Sequence, residues 1–195
     1  MATKSLNILI VGDSFAAEWP NANNGWVNLL AEKFNVTNLA QPGISEYKIL
    51  QQIKSVNVRD FDYVIVSHTS PSRIHTPQHP IHKEGFHKHC DLIVADIDNR
   101  FSLFNDSLRA AQGWFKHHYD DKYQLDIYNL IRKEINSLIT VPYISMTHVE
   151  IAANLAIEKT NLDFSKLWEK NRGSINHYTE FGNELVLMEL LKWIK

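Results

Sequence analysis

The stretch Leu6–Phe15, LNILIVGDSF, decides how the rest of the chain is read. It is an apolar run without alternation of polar and apolar positions, ending in Gly12 and followed by Asp13 and Ser14. A strand of that composition is buried on both faces, as in a parallel sheet. Gly12 permits the sharp exit such a strand needs at its carboxyl end. Ligands of open α/β sheets bind outside that end. Asp13 and Ser14 are therefore expected at the mouth of a site.

Downstream the same rhythm repeats. Ala16–Asn24 is loop-like, and Gly25-Trp26 opens an amphipathic helix to Phe34, with Trp26, Leu29, Leu30 and Phe34 at helical spacing. Asn35–Leu39 reads as a second strand, followed by the turn Ala40-Gln41-Pro42-Gly43. Ser45 is the expected N-cap of a helix over Glu46–Lys54. Phe61–Ser67, FDYVIVS, is a third strand. This order predicts an α/β fold, a three-layer α/β/α arrangement with a central, mostly parallel sheet.

The pattern then breaks. Residues 68–99 hold Pro71, Pro77 and Pro80 and show little periodicity; helix is expected to return between Cys90 and Phe104. Leu103–Tyr119 and Lys122–Leu138 read as one or two long helices. Ile139–Met146 reads as a fourth strand, with Pro142 marking an edge position or a strand end. Ile151–Lys159 is a short helical pattern and Asn161–Ser174 a connector. Glu180–Ile194 closes the chain as an amphipathic helix.

Composition narrows the function classes. At 195 residues the chain suits one domain spanning 1–195, and a formal net charge of -2 gives no reason to expect nucleic acid or an anionic membrane as partner. The single cysteine, Cys90, excludes an internal disulfide and fits a reducing compartment. The opening apolar run is short and passes straight into Gly-Asp-Ser, unlike a signal peptide. No apolar run approaches the roughly 18 residues of a membrane span. A cytoplasmic protein is expected.

Ser14 has the neighbours a nucleophile needs. Asn38 lies at the end of the second strand and Gly43 just past it, where a backbone N–H near Ser14 can serve an oxyanion. Ser67-His68-Thr69-Ser70 ends the third strand at the same edge. Asn176-His177 precedes the last helix, from which an imidazole can reach back as general base. The competing reading is a solvent-exposed loop with Ser14 capping a helix.

These blocks resemble the SGNH or GDSL-type hydrolases, esterases and deacylases with a flavodoxin-like α/β/α fold. ILIVGDSF is similar to the nucleophile block, implying Ser14 as nucleophile and its N–H as an oxyanion donor. NLAQPGIS is similar to the second block and implies Gly43 N–H as the next donor. HYTEFGNELV is similar to the histidine block and implies His177 as base. The third block, normally Gly-x-Asn-Asp, reads Ser67-His68-Thr69-Ser70, so Thr69 stands where the Asn donor belongs, with His68 as the alternative. The carboxylate normally three residues before the histidine is Ser174, with Asn176 and Glu180 nearby. Asp13, Asn38, Ser174 and Asn176 are thus supporting positions. The resemblance implies a serine-dependent hydrolase of a small-molecule or glycan acyl ester, without a cofactor. The departures leave two alternatives: a module that binds a glycan or a protein partner, and an O-acyltransferase using the same residues.

Ten histidines remain to be placed, six of them (His68, His75, His79, His82, His87, His89) within 22 residues beside Cys90. His82, His87, His89 and Cys90 are ligand types zinc accepts, but without a CxxC or HExxH regularity. A polar lid over the mouth is the better reading, and no metal is assigned. His117 and His118 fit a solvated helix face, and His148 has no clear assignment. Arg73 and Arg172 are possible partners for an anionic group. Trp114, Trp168 and Trp193 are expected in the core, and Trp19 at the substrate.

Overall fold

Central strands β1, Asn7–Gly12, and β3, Tyr63–His68, show why their sequences do not alternate. Ile8, Ile10 and Ile65 pack into one core and Leu9, Val11, Val64 and Val66 into another, on the opposite face of the sheet. Both cores need apolar side chains, so apolar residues run unbroken through Ile8–Val11 and Val64–Val66. With β2, Asn35–Asn38, β4, Tyr143–Thr147, and β5, Leu162–Asp163, these strands form a five-stranded, all-parallel sheet ordered β2-β1-β3-β4-β5. The computed structural model describes residues 6–20, 22–98, 100–150, 152 and 160–194.

Helices cover both faces. α1, Trp26–Ala31, packs against the last helix, Glu180–Leu191, over the first core, through Trp26, Val27 and Leu30 on one side and Val186, Leu187 and Leu190 on the other. α2, Glu46–Lys54, packs against the long helix Asp121–Leu138 over the second core. The arrangement is α/β/α in three layers. Its strand order is that of the flavodoxin-like doubly wound sheets, in which the order reverses between β1 and β3 and opens a crevice at their carboxyl ends.

The remaining elements are short. The stretch after β3 is irregular up to α3, Val94–Ile97, and the helix expected between Cys90 and Phe104 is limited to that turn. α4, Asp106–His117, and α5, Asp121–Leu138, are separate helices. Their starts are capped by Asn105 and Asp120, whose side chains accept from Leu108 and Tyr123 N–H. Ile97, Leu108 and Ala111 form a third, small core that ties α3 to α4. Within the expected connector lie β5, α6, Ser165–Lys170, and β6, Arg172–Ile175, which stands outside the sheet and folds back on Tyr178. Pro142 sits at the entry to β4, an interior strand, and not on an edge. The helical pattern Ile151–Lys159 lies outside the described residues apart from Ala152. In α7, Glu180–Leu191, Met188 is exposed and not on the buried stripe. Trp114 and Trp193 are also exposed, so the core holds neither. No helix among the described residues is long and apolar enough to cross a membrane.

Candidate active site

Ser14 follows β1 in a turn in which Ala16 and Ala17 N–H both donate to Asp13 O at 3.0 Å. Its hydroxyl meets His177 Nε2 at 2.8 Å, across 163 residues of chain. Two consecutive non-glycine residues, Asn176 (φ 49°) and His177 (φ 62°), adopt the left-handed conformation to make this contact. Such backbone persists only where its surroundings over-determine it. Here Asn176 Nδ2 donates to Ala17 O at 2.8 Å, and Gly173 N–H donates to His177 O at 3.0 Å. Asn183 adds a further tie: its Nδ2 donates to Ile175 O while its Oδ1 accepts from Trp26 N–H at the start of α1. Asparagine at 176 is also the side chain that tolerates the left-handed region best after glycine.

Two residues whose backbone N–H groups are unused line the same space. Ser14, Gly43, Arg73, His82, His87, Cys90, Asp96 and His177 line a cavity of about 260 Å³. Ser14 N–H and Gly43 N–H have no acceptor among the described residues. Gly43 holds φ at +69°, and a Cβ there would come within 2.8 Å of Cys90 Cβ. Only glycine fits. Gly12 is constrained in the same way, since a Cβ would meet Ser67 Cβ at 2.6 Å where β1 and β3 close on each other.

The third-block residues behave differently from expectation. His68 is fully buried, its Nδ1 donating to Glu46 Oε1 at 2.5 Å and its Nε2 accepting from Ser145 Oγ at 2.9 Å. Neither nitrogen is left for an oxyanion, so His68 is a structural residue. Thr69 is also fully buried; its N–H goes to Glu46 and its carbonyl accepts from Tyr128 Oη at 3.0 Å. Its hydroxyl has no hydrogen-bond partner among the described residues but lies near Asp13, whose carboxyl pKa it helps to lower. Thr69 does not line the cavity with Ser14. Ser174 is exposed on β6 and makes no hydrogen bond to His177. His177 Nδ1 has no hydrogen-bond partner among the described residues.

Electrostatics favour a neutral imidazole. Burial first, then the Arg73 guanidinium and His87, push the His177 pKa below 6.5. Asp13 is buried, and desolvation raises its carboxyl to about 6 despite the Phe15 N–H it accepts. His148 is held neutral by burial, with its pKa pushed down to about 3. It stacks between Phe15 and Phe164, and its Nδ1 lies 2.5 Å from Tyr178 Oη. Trp19 lies beside the Ser14–His177 pair without lining the cavity: its indole N–H donates to Ser14 O, and its ring meets His177 edge-on at 5.5 Å.

The histidine-rich stretch forms one wall of the cavity. His79, His82 and Cys90 bring potential ligand atoms within 4.8 Å of one another. His79 Nδ1, however, accepts from Ile81 and His82 N–H, both at 3.2 Å, which places the ring proton on Nε2. Neither nitrogen then offers a lone pair to a cation. Arg172 lies over the Trp168 ring at 4.4 Å and does not line the cavity with Ser14.

Several supporting residues escaped the sequence reading. Asp91, fully buried, anchors the insertion by accepting from Ser45 N–H and Thr76 N–H and by pairing with Lys48 Nζ at 2.8 Å. Ser45 occupies the N-cap position of α2, but its hydroxyl makes no cap bond. Asn38 bridges β2 to the nucleophile turn, donating to Ala16 O at 2.9 Å. Asn38 was legible from its block; Asp91 and Asn183 carry no local signal, because their partners are distant in sequence. Comparison with protein-family models, with curated proteins and with solved structures finds no match to this chain.

Proposed function

We propose that this protein is a serine-dependent hydrolase of carboxylic esters, an SGNH-type enzyme of the cytoplasm. The observation that carries the reading is the 2.8 Å contact between Ser14 Oγ and His177 Nε2 at the carboxyl edge of a doubly wound sheet. Ser14 attacks the acyl carbon as His177 Nε2 takes its proton. The developing oxyanion is held by the N–H groups of Ser14 and Gly43, both free of other acceptors. Collapse expels the alcohol with the proton from His177 and leaves an acyl-Ser14. Water, deprotonated by His177, then releases the acid. None of these steps draws on a cofactor.

A cavity of about 260 Å³ suits a short acyl group or a small polar ester. Wild type is expected to turn over 4-nitrophenyl acetate, with Ser14→Ala and His177→Ala at background. Equal rates in wild type and Ser14→Ala would overturn the proposal.

A second reading is favoured by His177 Nδ1, which has no hydrogen-bond partner among the described residues: a module that binds a glycan or protein partner at the same mouth without turnover. Acyl transfer to an alcohol uses the same residues, and is separated by adding an acceptor alcohol and following the transferred acyl group.

A further inference from the structure

We propose that Arg73 is an anion-recognition residue of the site, and that the ligand is an ester carrying a carboxylate. Arg73 follows the third strand in Ser70-Pro71-Ser72-Arg73, a turn closed by Arg73 N–H donating to Ser70 O at 3.2 Å. Its carbonyl accepts from Gln124 Nε2 at 3.3 Å, and its Nη1 donates to Gly43 O at 3.1 Å. The guanidinium is thus held from its backbone and from its tip, against the residue whose N–H faces the oxyanion position.

Only one of its five N–H groups is in use. Nε and Nη2 have no acceptor among the described residues, and no carboxylate pairs with the cation. A half-buried arginine without a counter-ion, beside a nucleophile, leaves a planar fork of donors that matches a carboxylate. Arg73 also lines a second cavity of about 320 Å³ with Tyr47, Trp114 and Tyr123, so an anion at the fork has room for the body of its molecule. Asp96 lines the nucleophile's cavity as well, and its charge confines the anion to the Arg73 side.

The site stands on Arg73 itself; calling its ligand an ester rests on the proposed hydrolysis. Two matched pairs read it: 3-acetoxybenzoate against 3-acetoxybenzamide, and mono(4-nitrophenyl) adipate against 4-nitrophenyl hexanoate. The ratio of kcat/KM, anionic to neutral, is expected to fall about 10- to 100-fold in Arg73→Gln for at least one pair, mainly through KM, and to recover in part in Arg73→Lys. Ratios within about twofold of wild type in Arg73→Gln for both pairs would overturn the proposal. If wild type turns over none of these esters, hydrolysis is the reading that fails. Calorimetric titration with 3-acetoxybenzoate and with adipate then decides the anion site. Binding lost in Arg73→Gln supports it, while equal binding in both proteins, or none to wild type, overturns it.

Discussion

His177 touches Ser14 through Nε2 and has nothing on Nδ1 among the described residues, and this sets how fast the site can work. In serine proteases, replacing the orienting carboxylate by its amide costs about 10⁴-fold in rate. Here the orientation comes from the backbone, through the left-handed Asn176-His177 pair and the Asn176 bond to Ala17 O. If the proposed hydrolysis holds, orientation without a counter-charge among the described residues is expected to give slow turnover and a base that is easily kept neutral. The acid limb of kcat/KM for a neutral aryl acetate is therefore expected below pH 6.5, since burial, Arg73 and His87 all lower the His177 pKa. Arg73→Gln removes one of those causes and moves the limb to higher pH. A limb above 6.5 in wild type contradicts this. Asp13 titrates in the opposite sense. Its carboxyl is 3.8 when unperturbed and about 6 in the fold, so the native state binds the extra proton and stability falls as pH rises from about 4 to 6. Asp13→Asn keeps an acceptor for Phe15 N–H and removes the buried charge. It is expected to raise unfolding free energy at pH 7.5 by up to about 3 kcal/mol, and hardly at pH 4, as read by urea denaturation. Ser14, Gly43 and His177 were legible as motifs because each sits at a strand or helix end with a characteristic neighbour. His68 misled because the same edge position serves an oxyanion when exposed to the crevice, and the core when paired with a buried Glu46.

The elements differ in how plainly their residues announce them. β1 and β3 are unmistakable, because two opposed cores demand consecutive apolar residues at Ile8–Val11 and Val64–Val66. β5 and α6 were hidden in an apparent connector: a strand of two residues and a helix of six are too short for any period to emerge. The insertion after β3 was legible as irregular but not as built. What builds it is Asp91, which reaches the start of α2 through Ser45 N–H and Lys48 and holds the wall of the cavity against Gly43. Asp91 N–H itself donates to Gly43 O at 2.8 Å. Asp91→Asn removes the charge that Lys48 Nζ pairs with, leaving it only the His89 carbonyl among the described residues, and is expected to cost about 3 kcal/mol, lowering Tm by roughly 6–12 °C. The loss is expected to extend to ester turnover, because Gly43 N–H is positioned from the same contacts. A change in Tm under about 2 °C would show that the insertion is held some other way.

Taken as a whole, the molecule buries several histidines in neutral form. His68 and His148 are fully enclosed, and their pKa values, like that of His79 at about 4, lie below 6.5. The unfolded chain takes up protons at these sites that the native state refuses, so stability present above pH 6.5 is lost as the pH falls. His148 alone is expected to contribute about 2 kcal/mol of loss between pH 7.5 and 5, partly offset by Asp13, and urea midpoints at the two pH values measure the net change. The three-layer sheet, the crevice at its carboxyl edge and the buried aromatic packing around Phe15 all converge on the hydroxyl of Ser14. Whether that hydroxyl is a nucleophile is read most directly by treating the protein with a fluorophosphonate and weighing the intact chain. One covalent adduct per molecule on Ser14 is expected, lost in Ser14→Ala and strongly slowed in His177→Ala. No adduct on the wild-type protein, or an adduct that persists in Ser14→Ala, would contradict it.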